Sequence, residues 1–363
     1  MRLLKVQKKS DRPIFMVSSS VRPDNPRPAA ANRTKEALSA LMLAVAIGLL
    51  ACRPAAGESE PCTAATSCRD TLRLGTGGTI TYYRSVPLTW NDKVRLAVIV
   101  VHGNQRDGDR YFDRLVSAAR AEGRLWDSAL LAPQFHTRKD GPAPDELYWS
   151  SQGWKIGHRS LDAKRVSTFA VMDELLGQVC PESRGIFPNL ETVVLIGHSA
   201  GAQFVGRYLA GGRGCPDGAL DVRYIVMNPS SYLYVDARRR SAAAGFEVPS
   251  GPPCADYDDY KYGLHDLNAY MRRVGPDRIR ANLFERRTYY LAGGEDTGSE
   301  ANLDTSCPGN LQGENRLARH ANYRAYHELF AAWTRSAFEI VPGVGHDGGR
   351  MLLSDAARRA AFR

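Results

Sequence analysis

A serine set between two glycines joins a strand pattern to a helix pattern, and this junction constrains the fold of the chain more than any other feature. Gly197 and Gly201 lie two positions before and two positions after Ser199. Residues 192–196 are branched and apolar, as in a buried parallel strand, and apolar residues then recur at helical spacing at Ala202, Val205, Tyr208 and Leu209. Because glycine lets backbone segments approach without Cβ clashes, the pattern predicts a tight turn that lifts the serine hydroxyl above the sheet edge. An ordinary glycine-rich turn is the alternative.

Strand and helix patterns alternate through the rest of the chain. The predicted strands are 80–84, 95–101, 129–132, 192–196, 222–227, 287–291 and 338–341. The predicted helices include 111–121 and 161–179. This alternation predicts an α/β fold with a mostly parallel sheet, an early antiparallel strand at 80–84 and helices on both faces. Functional groups are expected at the carboxyl ends of the strands.

An acid and a histidine follow the last two predicted strands. Asp296 lies after the Gly293-Gly294 turn, and His346 lies in a glycine-flanked loop. A serine hydroxyl needs a base to become a nucleophile. Histidine titrates near neutral pH, so it can take that proton and later return it to a leaving group. A carboxylate can hold the imidazole in the required tautomer. Glu295 and Asp304 are rival candidates for the acid.

These motifs together resemble serine hydrolases of the α/β-hydrolase fold, of an exported bacterial esterase or lipase type. The similarity covers residues 72–363. In that family the triad follows the order serine, acid, histidine along the chain. The resemblance therefore implies that Ser199 is the nucleophile, Asp296 the acid and His346 the base.

The predicted strand 95–101 ends in His102-Gly103-Asn104. The resemblance implies an oxyanion hole made by the backbone N–H groups of Asn104 and Ala200. Gly103 would permit the close approach, although a left-handed turn is the alternative explanation for it. His102 is expected to brace this loop or to contact the substrate.

Contacts with the substrate are expected from two further places. Trp149 and Trp154 lie on the loop that follows the predicted strand 129–132, and Ser230 and Ser231 follow the predicted strand 222–227. The aromatic side chains could hold an acyl or aryl group, or could simply pack the loop. Ser230 and Ser231 could line the pocket, and a role in the turn after the strand is the alternative. The tyrosine-rich insertion at about 229–286 is expected to form a cap-like cover over the site.

The N-terminal region has the pattern of an export signal. A basic segment precedes an apolar run of 14 residues, 37–50, which is too short to span a bilayer comfortably. Leu49-Leu50-Ala51-Cys52 resembles a lipobox, in which Cys52 receives a lipid; simple signal cleavage is the alternative. Residues 1–52 are thus a predicted signal peptide, and residues 53–71 read as a tether.

Cysteine usage fits an exported protein. The chain has seven cysteines, so lipidation of Cys52 would leave an even number for disulfides in an oxidising compartment. Chain position favours three pairs: Cys62 with Cys68, Cys180 with Cys215, and Cys254 with Cys307. The protein is expected to be periplasmic, anchored outside the cytoplasm as a lipoprotein, or secreted.

Charge and motifs argue against several other classes. Nine basic and three acidic residues fall in 1–52, so only three of the nine net positive charges belong to the remainder. No nucleic-acid motif, basic patch with interleaved aromatics or H-E-x-x-H metal motif is present in the sequence. We therefore expect no nucleic-acid partner, no cofactor and no metal, with membrane contact only through an N-terminal lipid, and a monomer.

The predicted function is hydrolysis of a carboxylic ester through an acyl-enzyme, with a small ester or related acyl compound as the substrate. An amidase, peptidase or thioesterase would use the same triad. A catalytically silent, lipid-anchored binding protein on the same fold is the rival from another class.

Overall fold

A computed structural model describes residues 60–180, 185–215, 218–241, 245–249, 254–299 and 302–363. The predicted signal peptide 1–52, the lipidation candidate Cys52 and the first part of the predicted tether lie outside the described residues. The strands are β1 Arg69–Arg73, β2 Thr79–Arg84, β3 Leu96–Val101, β4 Ser128–Pro133, β5 His136–Thr137, β6 Tyr148–Trp149, β7 Thr192–His198, β8 Asp221–Met227, β9 Arg239–Ser241, β10 Gly245–Glu247, β11 Thr288–Gly293 and β12 Ser336–Val341.

The helices alternate with these strands along the chain. They are α1 Ala65–Cys68, α2 Gly108–Ala121, α3 Thr168–Val179, α4 Ala200–Gly211, α5 Ala269–Val274, α6 Pro276–Glu285, α7 Cys307–Asn310, α8 Arg316–Glu328, α9 Gly348–Leu353 and α10 Asp355–Phe362. Short 3-10 helices at Arg138–Asp140 and Gly153–Ile156 lie in the loop between β4 and α3. No helix among the described residues is both long and apolar enough to cross a membrane.

Eight strands form one sheet in the order β1-β2-β4-β3-β7-β8-β11-β12. The six strands from β4 to β12 in this order pair in parallel, whereas β1 with β2 and β2 with β4 are antiparallel. The prediction of a mostly parallel sheet with an early antiparallel strand is therefore confirmed. The parallel strands all end at one edge, which brings the loops after β3, β7, β8, β11 and β12 together.

Both faces of the sheet are buried, which explains why its central strands are continuously apolar. In β3, Ala97, Ile99 and Val101 belong to one hydrophobic cluster, and Leu96, Val98 and Val100 belong to the other. Helices α3, α4 and α6 contribute to the first cluster, and α2, α9 and α10 contribute to the second. Two layers of helix thus hold the strand ends in fixed positions.

Two boundaries differ from the sequence-based predictions. The helix predicted at 161–179 begins only at Thr168, because Arg165 has a left-handed backbone (φ 56°) and the Ser167 side chain caps the helix by accepting the Phe169 N–H. Part of the segment predicted as a tether, 53–71, is folded, because α1 and the start of β1 lie within it. Strand β1 pairs with β2 along all five of its residues, which places Leu72 in the core.

Three disulfides connect segments of the folded unit. They join Cys62 to Cys68, Cys180 to Cys215, and Cys254 to Cys307, with Cα atoms 5.5 to 5.8 Å apart. The third bond links the insertion between β8 and β11 to the first residue of α7. Three disulfides fit a protein that folds in an oxidising compartment outside the cytoplasm.

Candidate active site

The turn between β7 and α4 forces the serine into an unusual backbone conformation. Ser199 has φ 56° and ψ −112°, a region that residues with a side chain rarely occupy and that clusters at functional sites. A Cβ at Gly197 would overlap the Gly201 backbone, and a Cβ at Gly201 would overlap the carbonyl oxygens at the end of β3. The two glycines therefore let the turn close and let it lie directly against the neighbouring strand.

Three side chains at the strand ends are joined by a continuous chain of hydrogen bonds. The Ser199 hydroxyl lies 2.9 Å from Nε2 of His346, and Nδ1 of His346 lies 2.7 Å from Oδ2 of Asp296. With Nδ1 protonated, His346 donates to Asp296 and its Nε2 accepts from the serine. This tautomer leaves Nε2 ready to take the serine proton. Residues 147 positions apart in the chain thus make direct contact.

Asp296 is buried, and two neighbours that the sequence reasoning missed hold it in place. The Asn228 amide donates to Oδ2 at 2.5 Å, and Nη1 of Arg316 lies 3.5 Å from Oδ1. Burial by itself would raise the pKa of Asp296. The interaction with His346 lowers this pKa most, the hydrogen bond from Asn228 and the positive charge of Arg316 lower it further, and the result lies below the ordinary value. The carboxylate is therefore ionised at neutral pH. Asn228 follows β8 directly, so its strand-end position could have identified it; Arg316 carries no such signal.

The rival acid Asp304 has a different set of partners. Its Oδ2 accepts from Nζ of Lys261 at 2.7 Å and from the Tyr262 hydroxyl at 2.8 Å. The Lys261 charge and these hydrogen bonds, opposing burial, hold the pKa of Asp304 far below its ordinary value. Asp304 therefore fastens the insertion to the loop before α7, while Asp296 contacts the histidine.

The loop after β3 lines the same pocket as the serine, and the oxyanion hole at Asn104 and Ala200 stays a prediction. Asn104 and Ser199 line the same pocket, and Ala200 is the first residue of α4, where backbone N–H groups lack partners within the helix. The Asn104 side chain donates to Oδ1 of Asn302 at 2.7 Å, and its carbonyl accepts from Arg106 at 2.7 Å. Asn302 was not a sequence candidate, because it lies in a loop without a recognisable motif.

His102 braces this loop and does not reach the pocket. Its side chain is fully buried, with Nδ1 3.0 Å from the Gly103 carbonyl and Nε2 accepting the Phe135 N–H at 3.0 Å. Burial lowers the pKa of His102 to about 4, so the ring is neutral at physiological pH. These contacts agree with the prediction that His102 braces the loop. The prediction that His102 contacts the substrate is wrong, because its side chain is fully buried.

The two tryptophans are also in the core, contrary to the expectation that they contact the substrate. Trp149 and Trp154 are both fully buried in the hydrophobic cluster. The ring of Trp154 lies 4.7 Å from that of His102, and the Trp149 indole N–H donates to the Val166 carbonyl. Their aromatic area packs the loop between β4 and α3 onto the sheet, which sequence could not distinguish from pocket lining.

Ser230 and Ser231 are likewise buried, and their hydroxyl groups form hydrogen bonds within the protein. The Ser230 hydroxyl donates to the Asn302 carbonyl at 3.0 Å and accepts the Asp304 N–H at 2.6 Å. The Ser231 hydroxyl contacts Gln203 and Arg207. Neither serine lines the pocket at Ser199, so their predicted role as substrate contacts is not supported. Ser230 instead fixes the loop that carries Asn302.

The pocket beside the serine is small and polar. Its volume is about 230 Å³. The lining residues are Gly103, Asn104, Gln105, Asp107, Arg110, Tyr111, Arg114, His198, Ser199, Asn302, His346, Asp347 and Gly348. Tyr111 is the one large apolar or aromatic side chain among them apart from the histidines. None of these residues belongs to the insertion at 229–286, so the described part of that segment does not line this pocket as expected of a cap.

His198 packs beneath the candidate base. Its ring lies 4.8 Å from the His346 ring, and its Nδ1 is 2.9 Å from the Tyr111 hydroxyl. Burial, reinforced by the neighbouring His346, keeps the pKa of His198 well below its ordinary value. A neutral ring at this place adds no positive charge beside His346. Among the described residues, no group of three His, Cys, Asp or Glu is arranged to hold a metal ion.

The sheet order, the tight turn at Ser199 and the hydrogen-bonded side chains at the strand ends define the α/β-hydrolase fold. Comparison with solved structures confirms this fold. The chain is similar to a poly(aspartic acid) hydrolase from Sphingomonas sp. KT-1, with 20% identity, a TM-score of 0.58, and coverage of 81% of this chain and 98% of that one. It is also similar to a poly(3-hydroxybutyrate) depolymerase from Bordetella parapertussis, with 23% identity, a TM-score of 0.57, and coverage of 81% and 91%. No protein-family model matches the sequence, and comparison with curated proteins gives no significant match.

Proposed function

We propose that the protein is a serine hydrolase that cleaves a carboxylic ester through an acyl-enzyme. The observation that carries this proposal is the continuous contact from Ser199 through His346 to the buried carboxylate of Asp296. A catalytically silent protein on this fold would not require the strained backbone at Ser199 or an ionised Asp296 that interacts with three donors. The intact chain of hydrogen bonds therefore favours an enzyme over a binding protein.

Each group has one task in this reaction. Nε2 of His346 takes the proton as Oγ of Ser199 attacks the acyl carbon, and the resulting imidazolium is stabilised by Asp296. The N–H groups of Ala200 and Asn104 receive the negative oxygen of the tetrahedral intermediate, each contributing about 3 kcal/mol to lowering the barrier. His346 then protonates the leaving alcohol, and a water molecule repeats the sequence to release the acid.

The pocket favours a short or polar acyl group over a long aliphatic chain. A cavity of about 230 Å³ that is lined by arginines, carboxylates and amides would leave a fatty chain in contact with polar groups. The similar solved structures include enzymes named for polymers, poly(3-hydroxybutyrate) and poly(aspartic acid). An ester between small, polar building units fits the pocket and the polyester poly(3-hydroxybutyrate), whereas poly(aspartic acid) is linked by amide bonds. Amides, peptides and thioesters are the alternatives within the same machinery.

A fluorophosphonate probe tests the nucleophile directly. Wild-type protein should be labelled, Ser199→Ala should not be, and Ser151→Ala, which changes an exposed serine, should be labelled like the wild type. A series of p-nitrophenyl esters should then show faster hydrolysis of acetate than of octanoate. Absence of labelling in folded wild-type protein would establish the silent scaffold, and equal rates for long and short esters would refute the proposed acyl preference.

Export and anchoring are part of the proposal, with Cys52 as the lipidated residue after removal of 1–51. The three disulfides support export. Mass spectrometry of the mature N-terminus should find a diacylglyceryl cysteine. An unmodified thiol at Cys52, or cleavage at another bond, would refute the lipoprotein.

A further inference from the structure

A second and larger cavity, of about 740 Å³, lies apart from the pocket at Ser199. One wall is the loop 158–167, and the other is α5 with the residue that caps it, Asn268. The two cavities have no lining residue in common. Four cationic side chains line it, Arg159, Lys164, Arg165 and Arg273, and no Asp or Glu does. We call this cavity the basic groove.

None of these four cations forms an ion pair within the described part of the chain. Arginines elsewhere commonly do; Arg106 lies 2.7 Å from Asp140, and Arg124 lies 2.8 Å from Asp127. In the groove, Lys164 and Arg165 reach only backbone carbonyls, each at 3.4 Å, and Arg273 lies over the Tyr270 ring.

The carboxylates bonded to the groove walls are already engaged. Glu174 accepts hydrogen bonds from the Gly75 N–H and the Thr76 hydroxyl, and Asp162 accepts the Lys164 N–H. Tyr270 donates its hydroxyl to Asp173 at 2.6 Å. These carboxylates remain charged, but in the described part of the chain none of them forms an ion pair with one of the four groove cations.

The loop that carries three of the cations is held in a fixed shape. Arg159 and Ser167 form a bridge across its neck. Inside it, Ser160 donates its N–H to the Val166 carbonyl at 2.7 Å and accepts the Val166 N–H on its hydroxyl at 2.9 Å. Arg165 occupies a left-handed conformation (φ 56°) that this pairing maintains. The loop therefore fixes the backbone positions from which the three charged side chains extend.

The opposite wall is fastened to the same short 3-10 helix as the loop. The Asn268 amide donates to the Ile156 carbonyl at 2.7 Å, and the Ser167 hydroxyl donates to the Gly157 carbonyl at 2.7 Å. Both walls thus keep their separation without a bound ligand. Because the two walls are preformed, binding does not have to order the backbone of the groove, which favours affinity.

We propose that the basic groove binds an extended oligoanion, a chain carrying two or more carboxylate or phosphate groups. A single exposed ion pair contributes about 0 to 1 kcal/mol, so a monovalent anion would bind weakly here. A ligand that engages three or four cations at once adds these contributions, and guanidinium groups suit carboxylate and phosphate oxygens. The groove is a binding site separate from the proposed catalytic one.

Isothermal titration with two probes, inorganic tripolyphosphate and penta-glutamate, tests the proposal and distinguishes phosphate from carboxylate chemistry. The test variant is Arg159→Gln/Arg165→Gln/Arg273→Gln. The matched control, Arg73→Gln/Arg120→Gln/Arg278→Gln, removes the same charge from exposed positions outside the groove. Thermal unfolding and p-nitrophenyl acetate hydrolysis should match the wild type for both variants, which shows that the fold and the site at Ser199 are intact.

The wild type should bind at least one probe saturably at low ionic strength. The groove variant should bind it about tenfold more weakly, the control within about twofold, and ~0.5 M salt should abolish binding because it screens exposed charges. Equal weakening of probe binding in both variants would show that binding depends only on the net charge of the protein, and this would overturn the proposal. Absence of saturable binding of either probe to the wild type would also overturn it, whatever the outcome of fluorophosphonate labelling.

Discussion

Replacing His102 by asparagine should make the stability of the protein less dependent on pH between about pH 4 and 6.5. His102 is fully buried, and both ring nitrogens are used as a neutral tautomer uses them: Nδ1–H donates to the Gly103 carbonyl, and Nε2 accepts the Phe135 N–H. A second proton on Nε2 would break the latter bond and place a charge in the core. An asparagine can retain one of these bonds but cannot be protonated.

The sign and size of the effect follow from the two pKa values. Burial lowers the pKa of His102 from 6.5 to about 4 in the folded protein. Between these values the unfolded chain binds the proton and the folded one does not, so stability is fully present above pH 6.5 and is lost as the pH falls toward 4. The difference between the two pKa values corresponds to about 3 kcal/mol in the free energy of unfolding.

Urea unfolding with the disulfides intact, at pH 7.5 and pH 4.5, measures this effect. His102→Asn should be less stable than the wild type at pH 7.5, but the difference should shrink by about 2 to 3 kcal/mol at pH 4.5. The other buried histidines are present in both proteins and cancel. The control Val98→Ala, a core truncation without a titratable group, should lose the same stability at both pH values. An equal deficit for His102→Asn at both pH values would refute the neutral, buried brace.

Three further substitutions address the candidate catalytic site. Asp296→Asn should leave the geometry intact but favour the wrong histidine tautomer, lowering kcat about 10⁴-fold with little change in KM. Asn302→Ala removes the hydrogen bond to the Asn104 side chain and should lower kcat between about 5- and 100-fold, because the proposed oxyanion loop loses its lateral support. Gly201→Ala should lower the urea midpoint by an amount equivalent to about 1 to 3 kcal/mol and abolish activity, because its Cβ would overlap the Val101 and His102 carbonyl oxygens.

Each of these expectations has a contrary outcome. If Asp296→Asn lost less than tenfold in kcat, another group would be orienting His346. If Asn302→Ala changed only KM, Asn302 would be a substrate contact without a positioning role. The control for Gly201→Ala is Gly177→Ala, a helical glycine whose added Cβ meets nothing within 4 Å and should stabilise by up to about 1 kcal/mol. Similar losses in both glycine variants would refute the steric argument.

Local patterns in the sequence were sufficient to predict the sheet and the strand-end residues. A serine between glycines, an acid after a glycine turn and a histidine after the last strand each carry a signal within a few neighbouring positions. Because parallel strands end at one edge, their order along the chain is enough to bring Ser199, Asp296 and His346 together. The contact among these three was therefore predictable without knowing any loop conformation.

The side chains that surround these three were not predictable in the same way. Trp149 and Trp154 lie on a loop whose inward and outward faces have no periodicity, so burial and pocket lining give the same pattern. Asn302 and Arg316 reach the site through loop and helix packing that no short motif encodes. Asn228 and Ser230 both follow β8, and a position after a strand does not by itself show whether the amide or the hydroxyl reaches the acid.

The bond between Cys254 and Cys307 has a practical consequence for producing the protein. It ties the insertion to the segment just after Asn302 and Asp304, across 53 positions of sequence. A host whose cytosol keeps thiols reduced would yield molecules in which that tie is missing, and removing a native disulfide from a small secreted domain typically costs about 2 to 5 kcal/mol. We expect such preparations to show a slower enzyme that recovers on air oxidation, and periplasmic expression to give the full rate from the outset.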